Sequence, residues 1–265
     1  MKGKLILENG SEYDGVLFGK KTNIEGEIVF NTSMVGYPES LTDPSYKNQI
    51  LVLTYPSIGN YGVPSDKIND KSKLLEYFES SNIQISGLII SDYCEDHSHW
   101  NSNKTLSEWM NESDIPGLYG IDTRQLTKII RDKGTMKAKI IYDTNQPLYS
   151  ISTKNLVAEV SCDKVHHYNR DGQYKIIVID CGIKNNIIRK LLRIEDLHLK
   201  VVPYNYKINE DYDGIFISNG PGDPKDCKET IETIRILLEN NKPILGICLG
   251  LSLIHISEPT RQEAI

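Results

Sequence analysis

The residues with the clearest chemical potential are a cysteine and the two glycines beside it. Gly246, Cys248 and Gly250 form Gly-x-Cys-x-Gly directly after a short apolar run. This order favours a buried strand that turns sharply and exposes one side chain at its carboxyl end. A helix that starts after the turn would direct free N–H groups at the sulfur and favour thiolate. The motif predicts either a nucleophilic cysteine or a buried structural one.

A second turn, residues 219–224, could supply hydrogen-bond donors to such a nucleophile. It reads Asn-Gly-Pro-Gly-Asp-Pro, so backbone N–H groups can face outward without side-chain cover. A thiolate that attacks an amide carbonyl creates an oxyanion, which donors from this loop and from Leu249 would stabilise. A simple chain reversal is the alternative interpretation. No residue after Cys248 is a convincing histidine base oriented by a carboxylate.

Both turns require a scaffold, and the chain between residues 175 and 247 supplies one. Apolar runs predict strands at residues 175–180, 198–203, 214–218 and 243–247, and amphipathic patterns predict helices at 184–193 and 230–239. Uninterrupted apolar strands that alternate with helices indicate a parallel sheet covered on both faces. In such sheets the chemistry gathers at the carboxyl ends of the strands, where both turns lie.

The first 150 residues have a different pattern, in which short strands are separated by turns. We expect strands near residues 4–7, 13–18, 27–32, 49–53, 85–91 and 136–142, and helices at 105–111 and 123–131. Residues 36–46 contain two prolines and predict a long polar connection, either an ordinary surface loop or a functional one. Residues 151–174 are predicted to be a linker region between two domains, with a helix near 155–160.

Composition narrows the classes of function. The chain has 265 residues and a net charge of −6, without a basic stripe, so we expect no nucleic-acid partner. No apolar run approaches membrane-spanning length, so we expect no membrane association. The five cysteines are widely spaced and lack Cys-x-x-Cys pairs, which argues against disulfides and favours a reduced, cytoplasmic setting. His97 and His99 are a weak metal signal, and we expect no metal site.

Six motifs stand out, and two of them lie in the turns described above: SNGPGDP at 218–224 and GICLG at 246–250. The other four are GYPESLTDPSY at 36–46, LTYPSIGNYG at 53–62, GIDTR at 120–124 and DCGIKNNI at 180–187. Together these motifs resemble the small, glutamine-hydrolysing subunit of carbamoyl phosphate synthetase, a class I triad glutamine amidotransferase, over roughly residues 1–250. The first two are shared by several amidotransferases of this class, and the other four are more specific to the small subunit.

The resemblance implies a fold and a set of roles. The fold would be α/β, with an N-terminal mixed β/α domain at residues 1–150 and an incomplete, mostly parallel, three-layer class I glutamine amidotransferase domain at 175–250. Cys248 would be the nucleophile that forms a glutamyl thioester. The N–H groups of Gly220 and Leu249 would form the oxyanion hole, and Gly222 would hold the glutamine backbone. Ser45 would contact the amino-acid end of the substrate from the N-terminal domain.

The resemblance also implies partners. L-glutamine would be the substrate, and the ammonia would pass to a separate large subunit that makes carbamoyl phosphate for arginine and pyrimidine synthesis. ATP and magnesium would act in that large subunit, with no cofactor in this chain. Two alternatives stay open: a non-catalytic fragment whose residues 1–150 only bind the large subunit, and a different triad amidotransferase.

After Gly250 the chain departs from the family pattern. The family continues with His-Gln and later supplies the catalytic His and Glu, whereas Ser252 stands where the Gln is expected. We therefore expect residues 251–265 to be a non-native tail, the His and Glu of the triad to be absent from this chain, and His255 not to act as the base. We also expect the chain to have little or no glutaminase activity.

Overall fold

A computed structural model describes residues 1–150 and 155–258 of the chain. These residues form two compact units. The first unit comprises residues 1–68 and 75–150, and the second comprises residues 69–74 and 155–258. None of the helices in the described residues combines the length and the apolar character that crossing a bilayer requires.

The first unit contains ten strands, three α-helices and one turn of 3₁₀ helix at Pro44–Tyr46. In chain order these are β1 (Lys2–Leu7), β2 (Glu12–Gly19), β3 (Asn23–Asn31), α1 (Tyr37–Leu41), β4 (Gln49–Leu53), β5 (Ser57–Ile58), β6 (Gly87–Ile89), β7 (Asp92–Tyr93), α2 (Leu106–Glu112), β8 (Pro116–Tyr119), α3 (Thr123–Lys133), β9 (Met136–Ile141) and β10 (Leu148–Ser150). Every strand and helix predicted for residues 1–150 is present here, with ends that differ by a few residues.

The main sheet of the first unit closes on itself. Its strand order is β10-β3-β4-β6-β8-β2-β1-β9, and β9 pairs antiparallel with both β1 and β3. The β1–β2 hairpin turns at Gly10, whose φ of 83° favours glycine. Seven strands thereby form a closed ring, and β10 adds to it alongside β3.

Both faces of this sheet are covered, because alternate residues of a strand point to opposite sides. In β4, Ile50 and Val52 join one buried cluster, and Leu51 and Leu53 join another. The first cluster includes α3 side chains, and the second includes side chains of α1 and α2. After Gln49, β4 therefore reads as a continuous apolar run, whereas β1 and β9 alternate buried residues with more exposed ones.

The predicted polar connection at residues 36–46 is wrong in conformation, since these residues form α1 and the 3₁₀ turn. The helix buries Tyr37 and Leu41, and proline is tolerated in its first turn because no intrahelical N–H bond is lost there. The Oγ1 of Thr42 donates to the carbonyl of Pro38 at 2.8 Å, and the Asp43 side chain accepts from the N–H of Ser45 at 2.9 Å. The two prolines start helical turns instead of marking a loop.

The second unit is a layered α/β structure. Its elements are α4 (Leu156–Val160), β11 (His166–Tyr168), β12 (Tyr174–Asp180), α5 (Asn185–Leu191), β13 (Leu197–Pro203), β14 (Gly214–Ile217), a 3₁₀ turn at Pro224–Asp226, α6 (Lys228–Leu238), β15 (Ile244–Gly246) and α7 (Leu249–Ser257). The strand order is β11-β13-β12-β14-β15, in which β12 to β15 run parallel and β11 runs antiparallel.

Helices cover both faces of this sheet. Ile177 and Ile179 of β12 pack in a cluster with side chains of α6 and α7, whereas Val178 packs with side chains of α5. The three layers are α6 with α7, the sheet, and α5. The predicted α/β fold, with a mixed first part and a mostly parallel second part, is confirmed.

The predicted linker at 151–174 differs from the structure over its described residues, because residues 155–174 belong to the second unit. Leu156 and Val157 of α4 are buried, and β11 pairs with β13 along the sheet edge. An edge strand presents side chains to solvent, which explains why a polar His-His-Tyr sequence belongs to the sheet. Residues 69–74 also belong to this unit, and Leu74 packs against the cluster around Val178.

A charged cluster ties the sheet to the segment before β14. Glu210 accepts from the Nζ of Lys175 on β12 at 2.8 Å and from the Nζ of Lys200 on β13. Burial acts to raise the pKa of Glu210, but the hydrogen bonds from the two lysines outweigh it and lower that pKa from 4.5 to about 2. Glu210 therefore stabilises the folded chain most at pH values at which its carboxylate is ionised.

We expect Glu210→Gln to lower the free energy of unfolding by about 2 kcal/mol at neutral pH. Because the pKa of Glu210 is lowered in the folded state, this stabilisation is complete above pH 4.5 and is lost as the pH falls through about 2. Urea titrations should thus show that the unfolding free energies of Glu210→Gln and wild type become more similar as the pH drops below 4.5. Glu232→Gln, at an exposed position of α6, is the control, and equal effects of the two variants would contradict the assignment.

Candidate functional site

Cys248 occupies the sharp turn that the sequence predicts. It lies between β15 and α7, is exposed, and has φ 53° and ψ −110°. A positive φ is uncommon for a residue with a side chain and costs on the order of 1–3 kcal/mol. This backbone conformation places the thiol at the carboxyl end of a parallel strand and at the start of a helix.

The two glycines of the motif allow the chain to pass through this turn. A Cβ on Gly246 would lie 2.6 Å from the carbonyl carbon of Gly250, and one on Gly250 would lie 2.3 Å from the carbonyl oxygen of Ile217. Both distances are shorter than real Cβ contacts. The N–H of Gly250 also donates to the carbonyl of Ser218 at 3.1 Å, so the first turn of α7 is held against the end of β14.

Polar side chains fix the loop that follows β14. The Oγ of Ser218 accepts from the N–H of Cys181 at 2.9 Å and donates to the carbonyl of Asn219 at 2.8 Å. The Asn219 amide donates to the carbonyl of Gly182 at 2.9 Å. Both side chains are almost fully buried. The loops after β12 and β14 are therefore joined by side-chain hydrogen bonds at the carboxyl edge of the sheet.

Asp180 organises the neighbouring turn from the end of β12. Its carboxylate accepts from the N–H groups of Gly182, Ile183 and Cys162, each at 2.8 Å. Burial raises the pKa of Asp180, and these hydrogen bonds oppose that effect. The side chain thus satisfies three backbone donors that the turn would otherwise leave without an acceptor.

Gly220 and Leu249, the two residues predicted to form an oxyanion hole, lie in contact. A Cβ on Gly220 would be 2.7 Å from Cδ2 of Leu249 and 2.1 Å from the carbonyl oxygen of Cys181, so only glycine fits. Among the described residues, neither the Gly220 N–H nor the Leu249 N–H has a hydrogen-bond acceptor. Two unused donors therefore lie beside the turn that carries Cys248. When a thiolate adds to a carbonyl carbon, the carbonyl oxygen becomes negatively charged, and donors of this kind can stabilise that oxygen.

The other predicted substrate contacts lie in two different places. Gly222 has φ 81° and lies on the same loop as Gly220, and a Cβ there would meet Leu156 of α4 at 3.6 Å. Ser45 is half-buried in the 3₁₀ turn of the first unit, where its N–H bonds to Asp43. The glutamine contact of Ser45 stays a prediction.

No histidine of the second unit's described residues can serve Cys248 as a base. His255 follows it by seven residues along α7, which is about 10 Å of helix. His166, His167 and His198 lie on β11 and β13, and β11 is four strand spacings from β15, about 19 Å. Residues 1–150 and 155–258 also contain no group of three or more His, Cys, Asp or Glu side chains that could hold a metal ion.

Reasoning from sequence missed the supporting residues of this site. Asp180, Ser218 and Asn219 have no predicted role of their own, although they hold the loops in place. The available signal was their position, since each is a polar residue at, or within two residues of, the carboxyl end of an apolar strand in a parallel sheet. A polar side chain there is at the edge where loops converge.

Comparison with known proteins gives two family matches. Residues 5–140 match the family described as carbamoyl-phosphate synthase small chain, CPSase domain, and residues 177–258 match glutamine amidotransferase class-I. The second match includes residues 251–258, which were predicted above to belong to a tail outside the family. These residues form most of α7, whose Leu253 packs in the core of the second unit.

Individual relatives agree with both matches. The chain is 47% identical over 278 residues to Multifunctional protein pyr1-3 of Dictyostelium discoideum, covering 97% of this chain and 12% of the relative. It is 41% identical over 268 residues to the carbamoyl phosphate synthase arginine-specific small chain of Saccharomyces cerevisiae, covering 97% and 65%. It is 44% identical over 252 residues to the human mitochondrial carbamoyl-phosphate synthase [ammonia], covering 93% and 17%. The chain therefore spans less than two-thirds of the length of each.

The close approach of α7 to β14 makes a testable prediction. Gly250→Ala should lower the free energy of unfolding by about 2–3 kcal/mol, because the new Cβ overlaps the carbonyl of Ile217. Leu251→Ala, at a half-exposed position of the same helix, should change stability far less. Urea unfolding of both variants measures the difference, and a neutral Gly250→Ala would show that the backbones are not in contact.

Proposed function

Because this chain belongs to the carbamoyl-phosphate synthase small-chain family, we propose that it carries the glutamine-hydrolysing part of a carbamoyl phosphate synthetase. The substrate is L-glutamine and the products are glutamate and ammonia. The observation that carries the proposal is the exposed, strained Cys248 beside the unused N–H groups of Gly220 and Leu249. A nucleophile next to two oxyanion donors is the arrangement that acyl transfer requires.

The chemistry follows from these positions. The thiolate of Cys248 attacks the carbon of the substrate's side-chain amide, a C–S bond forms, and the carbonyl electron pair moves onto oxygen. The N–H groups of Gly220 and Leu249 stabilise that oxygen. When the carbonyl re-forms, the C–N bond breaks and the nitrogen leaves as ammonia after it accepts a proton. Water then hydrolyses the thioester to glutamate and restores the thiol.

Two further residues are assigned to substrate binding. Gly222 holds the backbone end of glutamine, since its loop leaves the peptide group without side-chain cover. Ser45 contacts the amino-acid end of the substrate from the first unit. The Asp43 side chain accepts from its N–H, so the backbone that carries Ser45 has a defined position within that unit.

Complete turnover needs an imidazole that no described residue of the second unit supplies to Cys248. A base must take the thiol proton, and its conjugate acid must protonate the leaving nitrogen. We therefore assign the nucleophile and the oxyanion donors to residues 155–258. The base is assigned to none of the residues that the structure describes in the second unit.

The proposed partner is a large carbamoyl phosphate synthetase subunit, or a fused segment that plays the same part. It would use the ammonia, with ATP and magnesium, to make carbamoyl phosphate. This chain would need no cofactor, because amide hydrolysis by a thiol requires only nucleophile, base and oxyanion donors.

A second candidate function is docking without hydrolysis. The observation that favours it is the distance of every described histidine of the second unit from Cys248. In that case the first unit would bind the large subunit while the thiol stays inactive. A different triad amidotransferase is disfavoured, because residues 5–140 match the small-chain family.

Covalent capture tests the nucleophile. A chloroketone analogue of glutamine should alkylate Cys248, with formation of a C–S bond and loss of chloride, and glutamine should slow the reaction. Mass spectrometry of the intact chain and of its peptides measures the site. Cys248→Ser should abolish labelling, whereas Cys94→Ser, at a half-buried cysteine, should not. Labelling that glutamine fails to slow would contradict a substrate site at Cys248.

Ammonia release and co-purification distinguish the two candidate functions. We expect the purified chain to release ammonia from glutamine at little more than the rate of Cys248→Ser, because the thiol lacks a nearby base. Co-purification with a large subunit, without glutamine hydrolysis, would favour docking alone. Turnover that matches a complete small subunit, and that is lost in Cys248→Ser, would overturn our placement of the base.

A further inference from the structure

The GIDTR motif at residues 120–124 takes no part in the proposed hydrolysis, yet it lines a cleft. The cleft lies wholly within the first unit and has a volume of about 360 Å³. That volume falls in the range of small-molecule sites. Its walls come from the start of α3, the end of β4 and the chain entering β7.

One side of the cleft offers hydrogen-bond donors. The N–H groups of Thr123 and Arg124 open α3 and have no acceptor in residues 1–150 or 155–258. The Asp122 side chain caps the N–H of Gln125 at 2.9 Å, so the next donor is already used. The exposed guanidinium of Arg124 makes no ion pair with any residue that the structure describes. These groups suit a carboxylate at a helix N terminus.

Thr123 adds an independent sign of a ligand. It is 2% exposed and lines the cleft, and no hydrogen bond to its hydroxyl is found among the described residues. The hydroxyl is not among the fully buried side-chain oxygens that lack a partner, so it keeps a small area of solvent contact. A nearly buried hydroxyl that is unused by the protein is available to a bound molecule.

The charge across the cleft defines the ligand further. Asp92 is exposed and accepts from the Ser91 hydroxyl at 2.8 Å, without an ion pair among the described residues. Asp122 also lines the cleft, so two carboxylates stand against the single cation of Arg124. A dianion such as phosphate would be repelled, whereas a molecule with one negative and one positive group is matched at both ends.

We propose that this cleft binds a free α-amino acid. Its carboxylate accepts from the N–H groups of Thr123 and Arg124 and from the Arg124 guanidinium, and its ammonium group faces Asp92. The proposal does not depend on glutamine hydrolysis, because the cleft and Cys248 belong to different units.

An NMR titration of the full chain tests the site. Each standard L-amino acid is added in turn to ¹⁵N-labelled protein, with acetate, methylamine and inorganic phosphate as single-charge and dianion probes. We expect at least one amino acid to shift the amide signals of Thr123 and Arg124 saturably, more tightly than acetate or methylamine. Absence of such shifts for every amino acid would overturn the proposal. Tighter binding of phosphate than of any amino acid would overturn it as well.

Variants identify the contacts. Arg124→Gln and Asp92→Asn should each weaken binding of that amino acid by about tenfold or more, since each removes one charge–charge hydrogen bond. Arg131→Gln is the matched control, because Arg131 is an exposed arginine two turns further along α3. Both cleft side chains are exposed, so the variants should fold normally. Equal affinity in Arg124→Gln and Arg131→Gln would refute the site.

Discussion

The second unit depends on one close approach of two backbones. The start of α7 lies so near the end of β14 that no side chain fits at residue 250, and the N–H of Gly250 bonds to the carbonyl of Ser218. This contact fixes where α7 begins, and therefore where Cys248 stands and how it is strained. It also brings Leu249 against Gly220. The positions of the nucleophile and of the two N–H donors thus depend on glycines 220 and 250 having no side chain, more than on attraction between side chains.

The strain at Cys248 has to be offset by its surroundings. Hydrogen bonds made by Ser218 and Asn219 join the loops after β12 and β14. The Asp180 carboxylate accepts three more from the turn after β12 and from Cys162, and all three side chains are buried. Buried polar networks of this kind are stabilising only when every member has a partner. The result is a rigid edge on which one residue can hold an unfavourable backbone conformation.

Much of this could be predicted from the sequence. Strands β12 to β15 are apolar runs and helices α5 and α6 are amphipathic, so their patterns identify them, and Gly-x-Cys-x-Gly identifies the turn. Residues 36–46 could not be assigned in this way, because proline both ends a helix and begins one, and only the burial of Tyr37 and Leu41 decides. The polar residues of β11 predict a linker, because the strand is stabilised by its pairing with β13 and not by an apolar run of its own. For the same reason, the membership of residues 69–74 in the second unit depends on contacts distant in sequence.

The candidate site also contains some features that a local sequence pattern predicts and others that depend on contacts between distant residues. Features formed by neighbouring residues, such as a cysteine between glycines or a glycine-rich turn, can be predicted directly from the sequence. The contact between Gly220 and Leu249 and the three donors to Asp180 arise only when separate strands meet. The cleft beside α3 belongs to this second kind, since its walls come from β4, β7 and the helix.

The closed ring of the first unit has a consequence for the order in which the chain folds. β1 finds β2 within a few residues, but its other neighbour is β9, and Lys4 pairs with Ile141. Closing so long a loop is entropically unfavourable and slows the step that depends on it. During synthesis the first strand must therefore wait as one edge of an open hairpin until β9 has left the ribosome. Only then does the unit lose its last free edge beside β1.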